Sequence, residues 1–234
     1  PYDDGIDWWM SHTTQRLGAP GEIGSDGMLR RVSVVPAPYT QPHPPVFVAT
    51  TGSEESVAYC GTQGFIPTYF SGIEKADESG EVYRSAAREV GFDFAPGQNQ
   101  ATVRWLQIGD TREEARLALR KYDAEIERNF YHQLALVNPR AKPEKMLHID
   151  ADLDDFAASI EKAPAHIWGT TDDVRDALVA QWEKFPAEYI SLILHYAQQP
   201  KESVIRNLEL FMQEVKPALD EMTKYETVAE AVAD

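Results

Sequence analysis

The sequence predicts an α/β protein built on a parallel sheet. Four short apolar runs, 46–49, 65–70, 101–108 and 189–194, are rich in β-branched and aromatic residues, as strands are. Each is followed by a longer amphipathic stretch, and several of those stretches open on a helix-capping residue. Strands alternating with helices form βαβ units, and the strands of such units run parallel. A chain of 234 residues can bury a sizeable core, and 1–234 is read as a single domain.

The elements follow in order. Asp3 to Leu17 is expected as a helix, with Ile6, Trp9 and Met10 on one face and Gly18 and Pro20 as the stop. Met28 to Val35 is expected as a short strand that Pro36 ends. Val46 to Ala49 suits a strand buried on both faces. After it, Ser53 is placed to cap a helix starting at Glu54. Phe65 to Phe70 is the second strand, followed by Ser71-Gly72 and a helix from Glu74 to Val90. Ala101 to Ile108 is the third. Thr111 and Glu114 form a capping box for a helix with Ala115, Leu119, Tyr122 and Ile126 on one face. Residues 131–165 lack a strong period, and a connector of that length is expected as a lid or excursion. Thr170 to Asp173 caps a helix through Trp182, and Tyr189 to Leu194 is the fourth buried strand. A helix from Ser203 to Val215 closes on Pro217, and 224–234 is expected as a flexible tail.

Between the first strand and its helix stand Thr50, Thr51, Gly52 and Ser53, with no bulky side chain among them. Free amides, hydroxyls and the positive end of a helix dipole bind phosphate in such a place. An ordinary strand-to-helix turn has the same local features, and Glu54 and Glu55 would repel an anion that they faced. Both readings stand on the local residues.

The wider stretch VVPAPYTQPHPPVFVATTGSEES resembles the middle of the luciferase-like monooxygenase family. It carries the proline-rich run as Pro36, Pro38, Gln41, Pro42, His43, Pro44 and Pro45, then the hydroxyl-bearing turn Thr50 to Ser53. Asp110-Thr111 fits the dipeptide that closes the family's seventh strand, and RNLELFMQEVKPAL resembles its closing helix. The resemblance implies a (β/α)8 TIM-barrel type fold of which this chain is the C-terminal half, strands 5–8 with their helices. It implies a flavin-dependent oxidoreductase that uses reduced FMN and O2 on a small organic substrate. It also implies that Thr50, Thr51, Gly52 and Ser53 hold the cofactor phosphate, and that Tyr69, Ser71 and His195 lie at the pocket. The catalytic residues are unknown, since much of the family's active site precedes its fifth strand. The alternatives are an F420-dependent dehydrogenase of the same fold and a non-enzymatic flavin-binding half-barrel. Expected partners are a flavin reductase as the source of reduced flavin, and either a second copy of the chain or the missing barrel half.

The rest of the sequence sets exclusions. A net charge of -16 argues against nucleic acid and anionic membrane as partners. No apolar run approaches the roughly 20 residues of a membrane span. Cys60 is the one cysteine, which fits a reducing cytoplasm. The six histidines show no metal-site spacing, and no serine-hydrolase elbow, Walker lysine or G-x-G-x-x-G is present.

Overall fold

Five parallel strands carry the fold. The computed structural model describes residues 53–132, 151–194 and 198–222, together with 24, 26, 28, 38–41 and 43–50. Two compact units divide the chain, Pro1–Pro45 and Val46–Asp234. In the first, Gln41 donates through Nε2 to the Pro38 carbonyl at 2.7 Å, and His43 Nδ1 lies 2.7 Å from the Pro44 carbonyl. The helix expected at Asp3–Leu17, nearly all of the strand expected at Met28–Val35, and 224–234 lie outside the described residues, as do 133–150 of the expected lid.

In the second unit the order is β1 (Phe47–Thr50), α1 (Glu54–Gln63), β2 (Ile66–Tyr69), α2 (Ile73–Glu89) and β3 (Ala101–Ile108). Then come α3 (Arg112–Ala118), α4 (Leu153–Ile160), β4 (His166–Gly169), α5 (Thr171–Lys184), β5 (Tyr189–Ile193), α6 (Lys201–Leu210) and α7 (Lys216–Met222). β1, β2, β3 and β5 are the four expected strands, adjacent in sequence order and all parallel. β4 is a fifth that the sequence does not announce. At Trp105, β3 pairs with His166 of β4 and Ile193 of β5; at Ala101 it pairs with Thr68 of β2 and Tyr189 of β5. A strand has two edges, so β2 and β4 share one edge of β3, in succession.

The sheet alternates between two faces. Val48, Tyr69, Leu106, Ile108, Ile167 and Leu192 meet α1, α2, α5 and the turn after α6 in two apolar clusters. By register, Phe47, Thr68, Trp105, Gln107, His166 and Tyr189 occupy the opposite face. Phe47 on β1 touches Tyr189 on β5 edge to face at 5.3 Å. A flat sheet would hold those strands about 14 Å apart, three spacings of roughly 4.8 Å, so this sheet curls toward the face that bears them, as a barrel wall does. Phe47 and Tyr189 are nevertheless 50% and 37% exposed. Among the described residues β1 and β5 have no further neighbour, so β1 is not the doubly buried strand, nor β5 the buried one, that composition leads one to expect.

The helix after β3 departs from a regular period. α3 continues through a π-helical turn (Leu119–Asp123), one α turn (Ala124–Ile126) and a second π turn (Glu127–His132). Each π turn takes in an extra residue. The buried positions therefore run Ala115, Leu119, Asp123 and Ala124 rather than through Tyr122 and Ile126. α6 behaves likewise. A π turn (Phe211–Val215) joins it to α7, and Pro217 falls in the first turn of α7 instead of ending the helix.

Candidate functional site

Active sites of parallel α/β barrels gather at the C-terminal ends of the strands. There β1 ends at Thr50, whose buried hydroxyl donates to the Thr68 carbonyl at 3.4 Å and ties β1 to β2. Thr51 and Gly52 lie outside the described residues, as does His195 beyond β5. Ser53 caps α1: its Oγ accepts from the Ser56 N–H at 3.4 Å and donates to Ser56 Oγ at 2.8 Å. Tyr69 points into the helix-covered layer. Its ring meets Phe185 edge-on at 5.9 Å, its hydroxyl donates to Gln100 Oε1 at 2.8 Å, and burial pushes its pKa up. Ser71 begins the loop to α2, and its buried Oγ has no partner. The Ser71 carbonyl accepts from Arg104, a buried guanidinium that also binds Gln181 of α5. Desolvation lowers the Arg104 pKa to about 10. Of the sequence-derived residues that are described, Thr50 and Tyr69 are register partners on the helix-covered face, while Ser53 and Ser71 lie in the turns that follow β1 and β2.

The opposite face carries a group that the sequence reading passed over. Trp105 stacks on His166 with ring centres 5.0 Å apart and an interplanar angle of 16°. Phe70 meets Trp105 edge-on at 5.9 Å and Tyr131 does so at 6.3 Å. The Trp105 Nε1, His166 Nδ1 and Thr68 Oγ1 atoms are buried and unpaired. A buried polar atom without a partner is costly, and these three lie on one face of the sheet, where a polar group that entered would satisfy them. Burial lowers the His166 pKa to about 4, so the ring is neutral at pH 7, one nitrogen a donor and the other an acceptor. A flat apolar wall with an indole N–H and a neutral imidazole suits a planar heteroaromatic ring bearing carbonyls and ring nitrogens. β4 positions His166. It is held short by Gly169, at φ 147, where a Cβ would lie 2.5 Å from Asp173 Oδ2, and Asp173 with Thr170 forms the capping box of α5.

Beyond Trp105, Gln107 enters a buried amide network. Its Nε2 donates to Gln199 Oε1 at 3.1 Å, and its Oε1 accepts from Asn207 Nδ2 at 3.0 Å and Gln199 Nε2 at 3.3 Å. Asn207 Oδ1 also takes the Ile108 N–H at 3.1 Å, at a level where β5 has already ended. Asp123 borders this network. It is 3% exposed, and desolvation raises its pKa to about 7 against a hydrogen bond from Gln107. A separate cavity of about 110 Å³, lined by Ile73, Leu178, Trp182, Phe185 and Ile190, lies on the helix side near the start of β5, away from the strand ends. Among the described residues no three His, Cys, Asp or Glu side chains assemble as a metal site, and no helix is long and apolar enough to cross a membrane.

Comparison with known proteins agrees with this architecture. No curated protein matches the chain significantly. Among solved structures, the oxygenating constituent of 3,6-diketocamphane monooxygenase from Pseudomonas putida, a type II Baeyer-Villiger enzyme in complex with FMN, superposes with a TM-score of 0.58 at 22% identity. A monooxygenase from Streptomyces bottropensis does so with 0.58 at 22%, and the coenzyme F420-dependent tetrahydromethanopterin reductase of Methanopyrus kandleri with 0.53 at 14%. The three alignments cover 75%, 76% and 74% of this chain but 49%, 49% and 50% of theirs, so the chain spans about half the length of these proteins. The parallel sheet is accordingly part of a TIM-barrel type fold. The model of the luciferase-like monooxygenases matches residues 9–188, and the chain belongs to that family.

Proposed function

We propose that this chain forms the cofactor-holding half of a flavin-dependent monooxygenase that uses reduced FMN and O2 on a small organic substrate. The observation that carries the reading is the Trp105–His166 wall with its unpaired buried nitrogens, at the level where β5 ends and just beyond the end of β2. When bound, reduced flavin supplies the electrons and the ring at which oxygen is activated. The chain's own residues bind, orient and exclude water. Thr50, Thr51, Gly52 and Ser53 form the phosphate turn at the N-terminus of α1, where free amides face an anion. Trp105 offers its N–H to a ring carbonyl, and neutral His166 accepts from or donates to a ring edge without bringing a charge. We assign Ser71 and His195 to the rim of the pocket, and Tyr69 holds the end of β2 through Gln100. A flavin reductase delivers the reduced cofactor, and a second copy of the chain or the other barrel half completes the pocket.

The second reading is an F420-dependent dehydrogenase, favoured by the likeness to the F420-dependent reductase. Titrating the protein with FMN, riboflavin and F420, followed by flavin fluorescence and F420 absorbance, separates the two. FMN binding stronger than riboflavin binding supports the first reading. F420 binding without FMN binding supports the second, and no binding of any of the three overturns both.

A further inference from the structure

Asp123 is a carboxyl that the proposed chemistry leaves unused. It sits in the first π turn after α3, 3% exposed, and its Oδ2 is buried with no partner. π turns inside helices recur at functional sites. Here the extra residue turns a carboxyl, rather than an apolar side chain, toward the end of β3. Two turns on, the same helix places Tyr131 against Trp105.

The groups that surround Asp123 are neutral. From β3 comes the Gln107 amide, which favours the ionised carboxyl but does not offset the cost of burying it. Gln107 pairs amide to amide with Gln199, and Gln199 Nε2 also donates to Ser203 Oγ at 3.0 Å. From α4 come Phe156, Ala157 and Ile160, packed with Leu119 and Ala124. The charged groups nearby are engaged elsewhere: Arg120 with Asp154 and Glu161, Glu125 with Asn129 and Gln198. Glu127, four residues on, is itself buried enough that its pKa is raised. No cation among the described residues offsets a charge on Asp123.

The Asn207 bond fixes the Gln107 carbonyl, so its NH2 must face Asp123 and Gln199. We propose that Asp123 is a positioning residue that holds a proton and, through Gln107 and Gln199, fixes the β5–α6 connection across the end of the sheet. Ionisation puts an uncompensated charge into a dry network and weakens the Gln107–Gln199 tie. The burial-driven rise of the Asp123 pKa to about 7 places this change within the physiological range. A ligand seated at the strand ends excludes more water and favours the protonated form, so ligand binding and loss of the proton oppose each other.

The test is a pH titration of the wild-type side-chain amide resonances of Gln107 and Gln199 by 15N NMR from pH 5 to 9. Both should move together with one midpoint near 7, and the movement should vanish in Asp123→Asn. In parallel, riboflavin is titrated at each pH, because it lacks the phosphate that ionises in the same range. Its affinity should fall several-fold from pH 6 to 8 in the wild type and stay level in Asp123→Asn. Only this second arm rests on the proposed flavin site. If riboflavin and FMN bind at no pH, the flavin reading fails while the NMR arm still judges Asp123. Flat amide resonances in the wild type, or the same titration in Asp123→Asn, overturn the proposal.

Discussion

Two buried groups at the strand ends should impose opposite pH dependences that hide each other. Asp123 has its pKa raised from 3.8 to about 7. The folded state therefore holds a proton that the unfolded chain has lost, and stability falls as pH rises through that window. His166 has its pKa lowered from 6.5 to about 4. There the unfolded chain binds the proton, and stability falls as pH drops through 6.5. Between pH 5 and 7 the linkage relation gives a loss of about 2 kcal/mol on the Asp123 side and a gain of about 2 kcal/mol on the His166 side. The wild type should look almost indifferent to pH across this range, with Glu127 adding somewhat to the Asp123 side. Asp123→Asn should then gain roughly 2 kcal/mol from pH 5 to 7, and His166→Phe should lose about as much. Urea melts at pH 5, 6 and 7 read this directly as shifts in midpoint at constant slope. If both variants keep the flat wild-type profile, neither group is buried as described and the reasoning fails.

Other consequences are independent of titration. At Gly61 of α1 a Cβ would lie 2.5 Å from the Tyr83 carbonyl of α2, a backbone atom that cannot swing away. Gly61→Ala should destabilise by about 1–2 kcal/mol, overpacking outweighing the helix-propensity gain of about 1 kcal/mol; an unchanged melt would refute the close α1–α2 approach. Tyr69→Phe should cost about 1–2 kcal/mol by stranding the buried Gln100 amide, yet change FMN affinity less than twofold, as equilibrium titration will show. Gly52→Asp should weaken FMN at least about 10-fold and leave riboflavin nearly unaffected, since only FMN carries the phosphate. Equal weakening of both ligands would remove the phosphate assignment.

The sequence carried the βα rhythm because its punctuation is local. Ser53, Thr111 and Thr170 each cap the helix that they precede. β4 was not legible: it is four residues, HIWG, opening on histidine and closing on glycine. Nor were the faces legible. All eight residues of β3 are buried, so the strand has no polar alternation to mark Trp105 and Gln107 as sharing a face. Tyr69 and Phe70 are neighbours of similar character, and only the register puts the first under the helices and the second beside Trp105. Asp123 was hidden by the π turn, which breaks the 3.6-residue period used to assign buried positions. The edge exposure of Phe47 and Ile190 depends on what flanks the sheet, which composition within a strand does not encode.

The central claim is that the Trp105–His166 wall receives the flavin ring. Flavin fluorescence tests it most directly, because a ring stacked near an indole is quenched. The wild-type protein should quench bound FMN strongly, and Trp105→Phe, which keeps the aromatic packing but removes the indole and its N–H, should bind FMN more weakly and restore much of the emission of the bound fraction. FMN bound by Trp105→Phe with wild-type affinity and undiminished quenching would contradict the account.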